Sequence, residues 1–185
     1  MGGLYDDLEG GGMLTDELAK RRDTIFRRWF EDVIDGYPDK TGRFLKEQSD
    51  PFANPVGAGL DQGLHEILDG LVESVEPEQL EDALDLVIRV RAVQEFSPAA
   101  GVGFIFRLKA IAREIVGRDG DVGHDEWAKF DRYIDRLGLF GFDVYMRCRE
   151  QMWAIRAREI RTQTLGILER VQEWRDRRVG NSGDA

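Results

Sequence analysis

Few residues in this chain of 185 amino acids could carry acid–base or metal chemistry. It contains two histidines, His65 and His124, and one cysteine, Cys148. A haem iron needs an axial ligand such as histidine, and a cysteine-based zinc site needs several thiolates. His65 lies beside an apolar helical stripe, and His124 begins a helix after a loop with glycines, as surface histidines commonly do. We therefore predict no haem, no metal and no other cofactor.

Cys148 lies between Arg147 and Arg149. Neighbouring cations depress the pKa of a thiol and favour a redox-sensing role. Adjacent residues of a helix point in different directions, however, and Cys148 falls on an apolar stripe. A buried structural cysteine is therefore the interpretation we favour, with a redox role as the alternative.

Motifs for catalysis are lacking in the sequence. The loop 119–126 has carboxylates at alternate positions, but Gly123 and His124 stand where a calcium-binding EF-hand needs an oxygen ligand and a glycine. Gly101 and Gly103 lack the third glycine and the preceding strand of a dinucleotide-binding turn. No phosphate-binding loop, zinc-protease helix or serine elbow occurs. We predict that the protein is not an enzyme.

A polar cluster is predicted late in an otherwise apolar helix. It consists of Arg89, Arg91, Gln94 and Glu95. Polar groups near a core need partners, because burying them without hydrogen bonds is costly. Either they form a structural ion-pair network with the helix after Ser97, which we favour, or they line a ligand pocket.

Apolar residues recur with the helical period along most of the chain, and strand-like alternation is absent. The fold class predicted is therefore all-α. Asn54-Pro55 and Ser97-Pro98 each combine a helix-capping residue with a proline suited to the first helical position. We expect a single domain over residues 14–178, with flexible tails at 1–13 and 179–185.

Composition places the chain among charge-rich soluble proteins. Hydrophobic residues make up 42% and charged residues 34%, and the net charge is −10. Such a charge disfavours non-specific binding to nucleic acid or to an anionic membrane surface. No apolar run is long enough to span a bilayer, and no secretory signal precedes the helices. A cytoplasmic location is expected.

The longest predicted helix runs from about residue 142 to 178, without a proline. Its apolar stripe shifts after Ile155, because the next position of the stripe, Ile160, comes five residues later. The stripe then continues along Ile160, Thr164, Ile167, Val171 and Trp174. Its apolar members Ile160, Ile167, Val171 and Trp174 are spaced by seven, four and three, which suits a seam between two helices. We predict a homodimer through residues 160–174, the competing outcome being that this segment folds back on its own domain.

Arginine is concentrated in this helix. Residues 146–178 hold nine arginines and five acidic residues, a local charge of +4 that leaves −14 for the rest. The charge run either forms a solvated face or meets an acidic partner surface, including that of another copy.

Two segments are fairly specific to one family: residues 50–57, DPFANPVG, and residues 88–98, IRVRAVQEFSP. A looser match begins at Phe142 and extends through Arg156 and Glu159. Together they resemble the RsbRD-type N-terminal domain of RsbT co-antagonist proteins of bacterial stress signalling, here expected as a standalone domain. The resemblance covers roughly residues 18–161 and implies a globin-like helical bundle without catalytic activity.

The function that the resemblance implies is sensing or regulation by protein–protein interaction. Two alternatives stay open. One is a small-molecule or redox sensor with a pocket between helices. The other is an accessory factor for a redox complex of sulfur metabolism, since standalone relatives also occur in bacteria with that metabolism.

Overall fold

The computed structural model describes residues 12–38, 41–42, 45, 52–94, 96–117 and 122–180, with side chains for all of these except 173 and 175–180. Those residues form six α-helices, one 3-10 helix and no strand, so the predicted all-α class with a long C-terminal helix is confirmed. The helices are α1 (Met13–Lys20), α2 (Arg22–Asp35), α3 (Pro55–Val72), α4 (Glu81–Val93), α5 (Pro98–Val116) and α6 (His124–Gly180), with the 3-10 helix at Pro77–Leu80. The globin-like arrangement stays a prediction.

The chain divides into two compact units, Met1–Arg147 and Cys148–Ala185. The single domain expected over residues 14–178 stays a prediction. Most of the expected tails, residues 1–11 and 181–185, lies outside the described residues, and Met13 is already the first residue of α1. No described helix is both long enough and apolar enough to span a membrane.

Two helices begin at the caps that the sequence indicates. The Asn54 side-chain oxygen accepts a hydrogen bond from the Gly57 backbone N–H at 2.9 Å, with Pro55 in the first helical position of α3. At the start of α5, the Ser97 hydroxyl accepts from the Ala100 N–H at 3.2 Å. Each cap gives a partner to a backbone donor that the helix itself leaves unpaired.

The core of the first unit lies where α2, α3, α4 and α5 pack together, with α3 against α4 and α2 against α5. Trp29 of α2 is fully buried, and its indole N–H donates to the Phe104 carbonyl of α5 at 2.8 Å. The two aromatic rings stack with centroids 5.8 Å apart. Trp29 thus adds apolar surface to the core while its one polar group has a hydrogen-bond partner.

The residues of α6 that belong to the first unit pack closely on α5. Gly101 of α5 lies against the ring of Tyr145, whose hydroxyl donates to the Phe96 carbonyl at 2.6 Å. Gly101 therefore permits a close approach of α6, whereas a Cβ placed on Gly103 would meet no other part of the molecule within 4 Å. At the surface, the Arg113 guanidinium donates to both oxygens of Asp131, at 2.9 and 2.6 Å.

Candidate functional site

Arg91 is a charged side chain in the interior of the first unit. Only 4% of its surface is exposed. Its guanidinium reaches two backbone carbonyls on neighbouring helices: Nη2 donates to Ala100 in the first turn of α5 at 3.0 Å, and Nη1 to Val33 in the last turn of α2 at 3.5 Å. A cation at the C-terminal end of α2 also interacts favourably with the helix dipole.

Three aromatic rings enclose the same guanidinium. Its carbon lies 4.5 Å from the centre of the Phe96 ring and 5.4 Å from those of Tyr37 and Phe104. Cation–π attraction offsets part of the cost of removing the charge from water. Burial nevertheless lowers the pKa of Arg91, while Tyr37 and Asp32 act in the opposite direction.

Two polar atoms of this site have no hydrogen-bond partner among the described residues: Arg91 Nε and the Tyr37 hydroxyl. Burial raises the pKa of the Tyr37 phenol, and the nearby guanidinium lowers it in part. The two groups are therefore close enough to interact electrostatically, without a well-formed hydrogen bond. A water molecule or a small anion would satisfy both donors.

The structure separates the predicted polar cluster. Arg89 is exposed and donates through Nε and Nη2 to Asp85, one helical turn earlier, at 2.8 and 2.9 Å. Gln94 is exposed at the end of α4, and Glu95 lies outside the described residues. Residues two apart on a helix point in different directions, so Arg89 and Arg91 cannot share an environment. Of the three described members, Arg91 is the one in the interior.

The two histidines and the cysteine that the sequence analysis considered for chemistry do not form a reactive site together. His65 is half-buried, with Nδ1 3.0 Å from the Asp61 carbonyl and its ring 3.5 Å from the Phe26 ring, centre to centre. His124 is the exposed first residue of α6, and Cys148 is buried. No three histidine, cysteine or carboxylate side chains lie together as a metal site in the part of the chain that the structure describes.

The second candidate site is an exposed apolar seam in the Cys148–Ala185 unit. Residues spaced by seven along α6 form one line of the seam: Trp153, Ile160, Ile167 and Trp174. Between them, the second line consists of Ala157, Thr164 and Val171. In a heptad written a to g, these two lines hold the d and a positions, the apolar core of a two-helix coil.

Large side chains of the seam are exposed to an unusual degree. Trp153, Ile160, Ile167, Val171 and Trp174 are each between 54% and 63% exposed. The Thr164 hydroxyl donates to the Ile160 carbonyl of its own helix at 2.8 Å. This polar residue of the seam therefore needs no hydrogen-bond acceptor from a partner protein. A contiguous exposed apolar surface of this kind is typical of a site at which another protein binds.

The sequence prediction placed Ile160, Ile167, Val171 and Trp174 on the seam and missed Trp153. In the sequence prediction, the apolar stripe before the shift ends at Ile155. The structure places Ile155 on another face of the helix, where it is 58% exposed. Counting sevens backwards from Trp174 would have found Trp153. The homodimer predicted through the seam stays a prediction.

Comparison with known proteins identifies a family for most of the chain, up to the first residues of the seam. Residues 23–160 match the family described as the RsbT co-antagonist protein rsbRD N-terminal domain. An uncharacterised protein of Archaeoglobus fulgidus is 23% identical over 163 residues, which cover 86% of this chain and 97% of that protein. No solved structure matches the chain.

Proposed function

Since the chain belongs to the RsbRD N-terminal domain family, a family of regulatory domains, we propose that it is a non-catalytic regulatory module that binds another protein through the seam of α6. The observation that carries this proposal is the exposure of the seam. Burying a large aliphatic side chain is worth roughly 1.5–3 kcal/mol, so a protein partner would gain substantially by covering it.

Co-purification from native cells tests the seam as the docking element. The test variant is Ile160→Asp/Ile167→Asp, which places two charges on the seam. Leu165→Asp is the matched control, because Leu165 is as exposed as Ile167, at 54%, and lies on another face of the helix.

We expect the native chain and the control to retain the same stoichiometric partner, and the seam variant to lose it. Circular dichroism should show equal helix content in all three proteins. Retention of the partner by the seam variant would show that binding occurs elsewhere on the molecule.

A sensor of a small anion is the second candidate function. It is favoured by the buried Arg91 Nε and Tyr37 hydroxyl, two donors that no described residue satisfies. Native mass spectrometry of the protein purified from its host would show an added small mass that Tyr37→Phe weakens and Arg91→Met abolishes. A protein of unmodified mass under gentle conditions would leave a water molecule as the occupant.

A further inference from the structure

We infer that the partner which covers the seam is a helix with acidic flanks, and not a second copy of this chain. The inference rests on the proposed function, because it specifies the partner that the seam would bind. It is carried by the charges that border the seam.

In a two-helix coil the e and g positions border the apolar core and meet the corresponding positions of the partner. Between residues 153 and 172 these positions are Ala154, Arg156, Arg161, Gln163, Leu168 and Arg170. Three of the six are arginines and none is acidic. The acidic residues of the same stretch, Glu159 and Glu169, hold positions c and f, away from the seam.

The arginines at the border are part of the exposed surface. Arg156, Arg161 and Arg170 are all exposed. The Arg156 guanidinium lies 5.9 Å from the Trp153 ring, beside the apolar line, and Arg170 Nε donates to the Gly166 carbonyl at 3.0 Å. The seam therefore has a cationic border along its described length, whatever local contacts these side chains also make.

Pairing with a second copy would bring like charges together. In a parallel coil, a g position meets the e position five residues further along the partner, so Arg156 would face Arg161 of the second copy in both symmetric contacts. In an antiparallel coil, e meets e and g meets g, and no acidic side chain is available on either side. A helix with glutamate or aspartate at its flanks turns each of these contacts into an attraction.

A nucleic acid would also attract arginine, but it fits the seam poorly. Phosphate backbones offer no continuous apolar surface for Ile160, Ile167 and Val171. The combination of apolar seam and cationic border is matched by an amphipathic acidic helix.

Two designed peptides test the inference on the full chain. Both are amphipathic helices of about four heptads with leucine at a and d, one with glutamate and the other with lysine at every e and g position. We expect the glutamate peptide to bind at least about tenfold more tightly than the lysine peptide at low salt, and this preference to shrink at about 0.5 M salt as charges are screened.

Charge reversal on the protein supplies the second arm of the test. Arg156→Glu/Arg161→Glu/Arg170→Glu should invert the preference between the peptides. Arg158→Glu is the control, because Arg158 is exposed at position b, away from the seam, and it should preserve the preference. Equal binding of both peptides, binding of neither, or tighter binding to a DNA duplex would overturn the inference.

Sedimentation of the chain alone separates this inference from the proposed function. A monomer at micromolar concentration is expected. A dimer that Ile160→Asp/Ile167→Asp dissociates and Leu165→Asp does not would show that the seam pairs with itself. The acidic partner would then be wrong, while the seam would still act as a protein-binding surface.

Discussion

At the scale of single residues, Arg89 and Arg91 show how differently two arginines on one helix can be used. Arg89 forms an exposed ion pair with Asp85 within α4, whereas Arg91 joins the end of α2 to the start of α5 through backbone carbonyls. The sequence prediction placed both in one polar cluster, either an ion-pair network with the helix after Ser97 or the lining of a ligand pocket. In the structure Arg91 is buried and Arg89 is exposed.

Arg91→Ala should lower the free energy of unfolding by roughly 2–5 kcal/mol, because it leaves a cavity among three aromatic rings and removes the donor to two carbonyls. Arg89→Ala should cost about 0.5 kcal/mol or less, as expected for an exposed pair within a helix. Urea denaturation of the two variants at neutral pH measures both values. Equal effects of the two substitutions would contradict the separation seen in the structure.

Buried tyrosine makes stability depend on alkaline pH. The Tyr133 hydroxyl donates to the Val75 carbonyl at 2.6 Å, and burial, reinforced by Glu76, raises the pKa of Tyr133 well above its usual value, with Arg136 acting in the opposite direction. The folded protein thus holds this proton more tightly than the unfolded chain, in which tyrosine titrates near about 10. Its stabilising contribution is complete below that pH and is lost progressively above it.

In Tyr133→Phe, the free energy of unfolding should therefore fall less steeply above pH 10, by up to about 1.4 kcal/mol per pH unit. At neutral pH the variant is less stable than the native chain by about 1 kcal/mol, since the Val75 carbonyl loses its donor. Chemical denaturation at intervals across this pH range checks the prediction. If the free energy of unfolding of the native chain and of Tyr133→Phe fell with the same slope above pH 10, the prediction would be contradicted.

At the scale of elements, α5 contains two glycines with opposite roles. A Cβ on Gly101 would lie 2.6 Å from Cε2 of the buried Tyr145 ring, whereas a Cβ on Gly103 would meet nothing within 4 Å. Gly101 thus permits the close approach of the first part of α6, while Gly103 lowers the helix propensity of α5 without an evident packing role.

Gly103→Ala should accordingly stabilise the protein by about 1 kcal/mol, the difference in helix propensity between glycine and alanine. Gly101→Ala should destabilise it, because the Tyr145 ring is held by its hydrogen bond to Phe96 and cannot move aside cheaply. Thermal unfolding of the two variants measures the sign of the change in stability for each substitution. Stabilisation by Gly101→Ala would show that the Tyr145 ring can move aside.

At the scale of the whole molecule, the two compact units differ in how much they bury. Most large apolar residues of the described helices in Met1–Arg147 are buried, whereas those on the seam of the Cys148–Ala185 unit are all exposed. A helix that lacks packing on an apolar face is only marginally stable by itself in water. Local opening should therefore be easier in the second unit.

Hydrogen exchange should reveal this difference. Backbone amides of residues 153–172 should exchange on the order of 100-fold faster than those in the middle of α5, which are buried in the first unit. Saturation with the glutamate-flanked peptide should slow exchange in 153–172 and leave α5 unchanged. Equal protection of both segments in the chain alone would indicate that the seam is already covered.

The sequence by itself determined the features that depend on local order along the chain. The helical period predicted the all-α class and the long C-terminal helix, because side chains every three or four residues share one face. Asn54 and Ser97 marked two helix starts through caps whose partners lie three residues away. The seam residues, which recur every seven positions, and the arginines beside them likewise all lie on one helix. Most of the seam could therefore be found without knowledge of the tertiary structure.

Tertiary structure alone decided what lies across from each residue. The buried environment of Arg91 requires α2 and α5 to be in place, since its carbonyl partners come from both. The same holds for Gly101, whose small size matters because Tyr145, 44 positions further along the sequence, packs against it. These contacts join segments distant in sequence, and neither period nor capping pattern carries information about which surfaces meet.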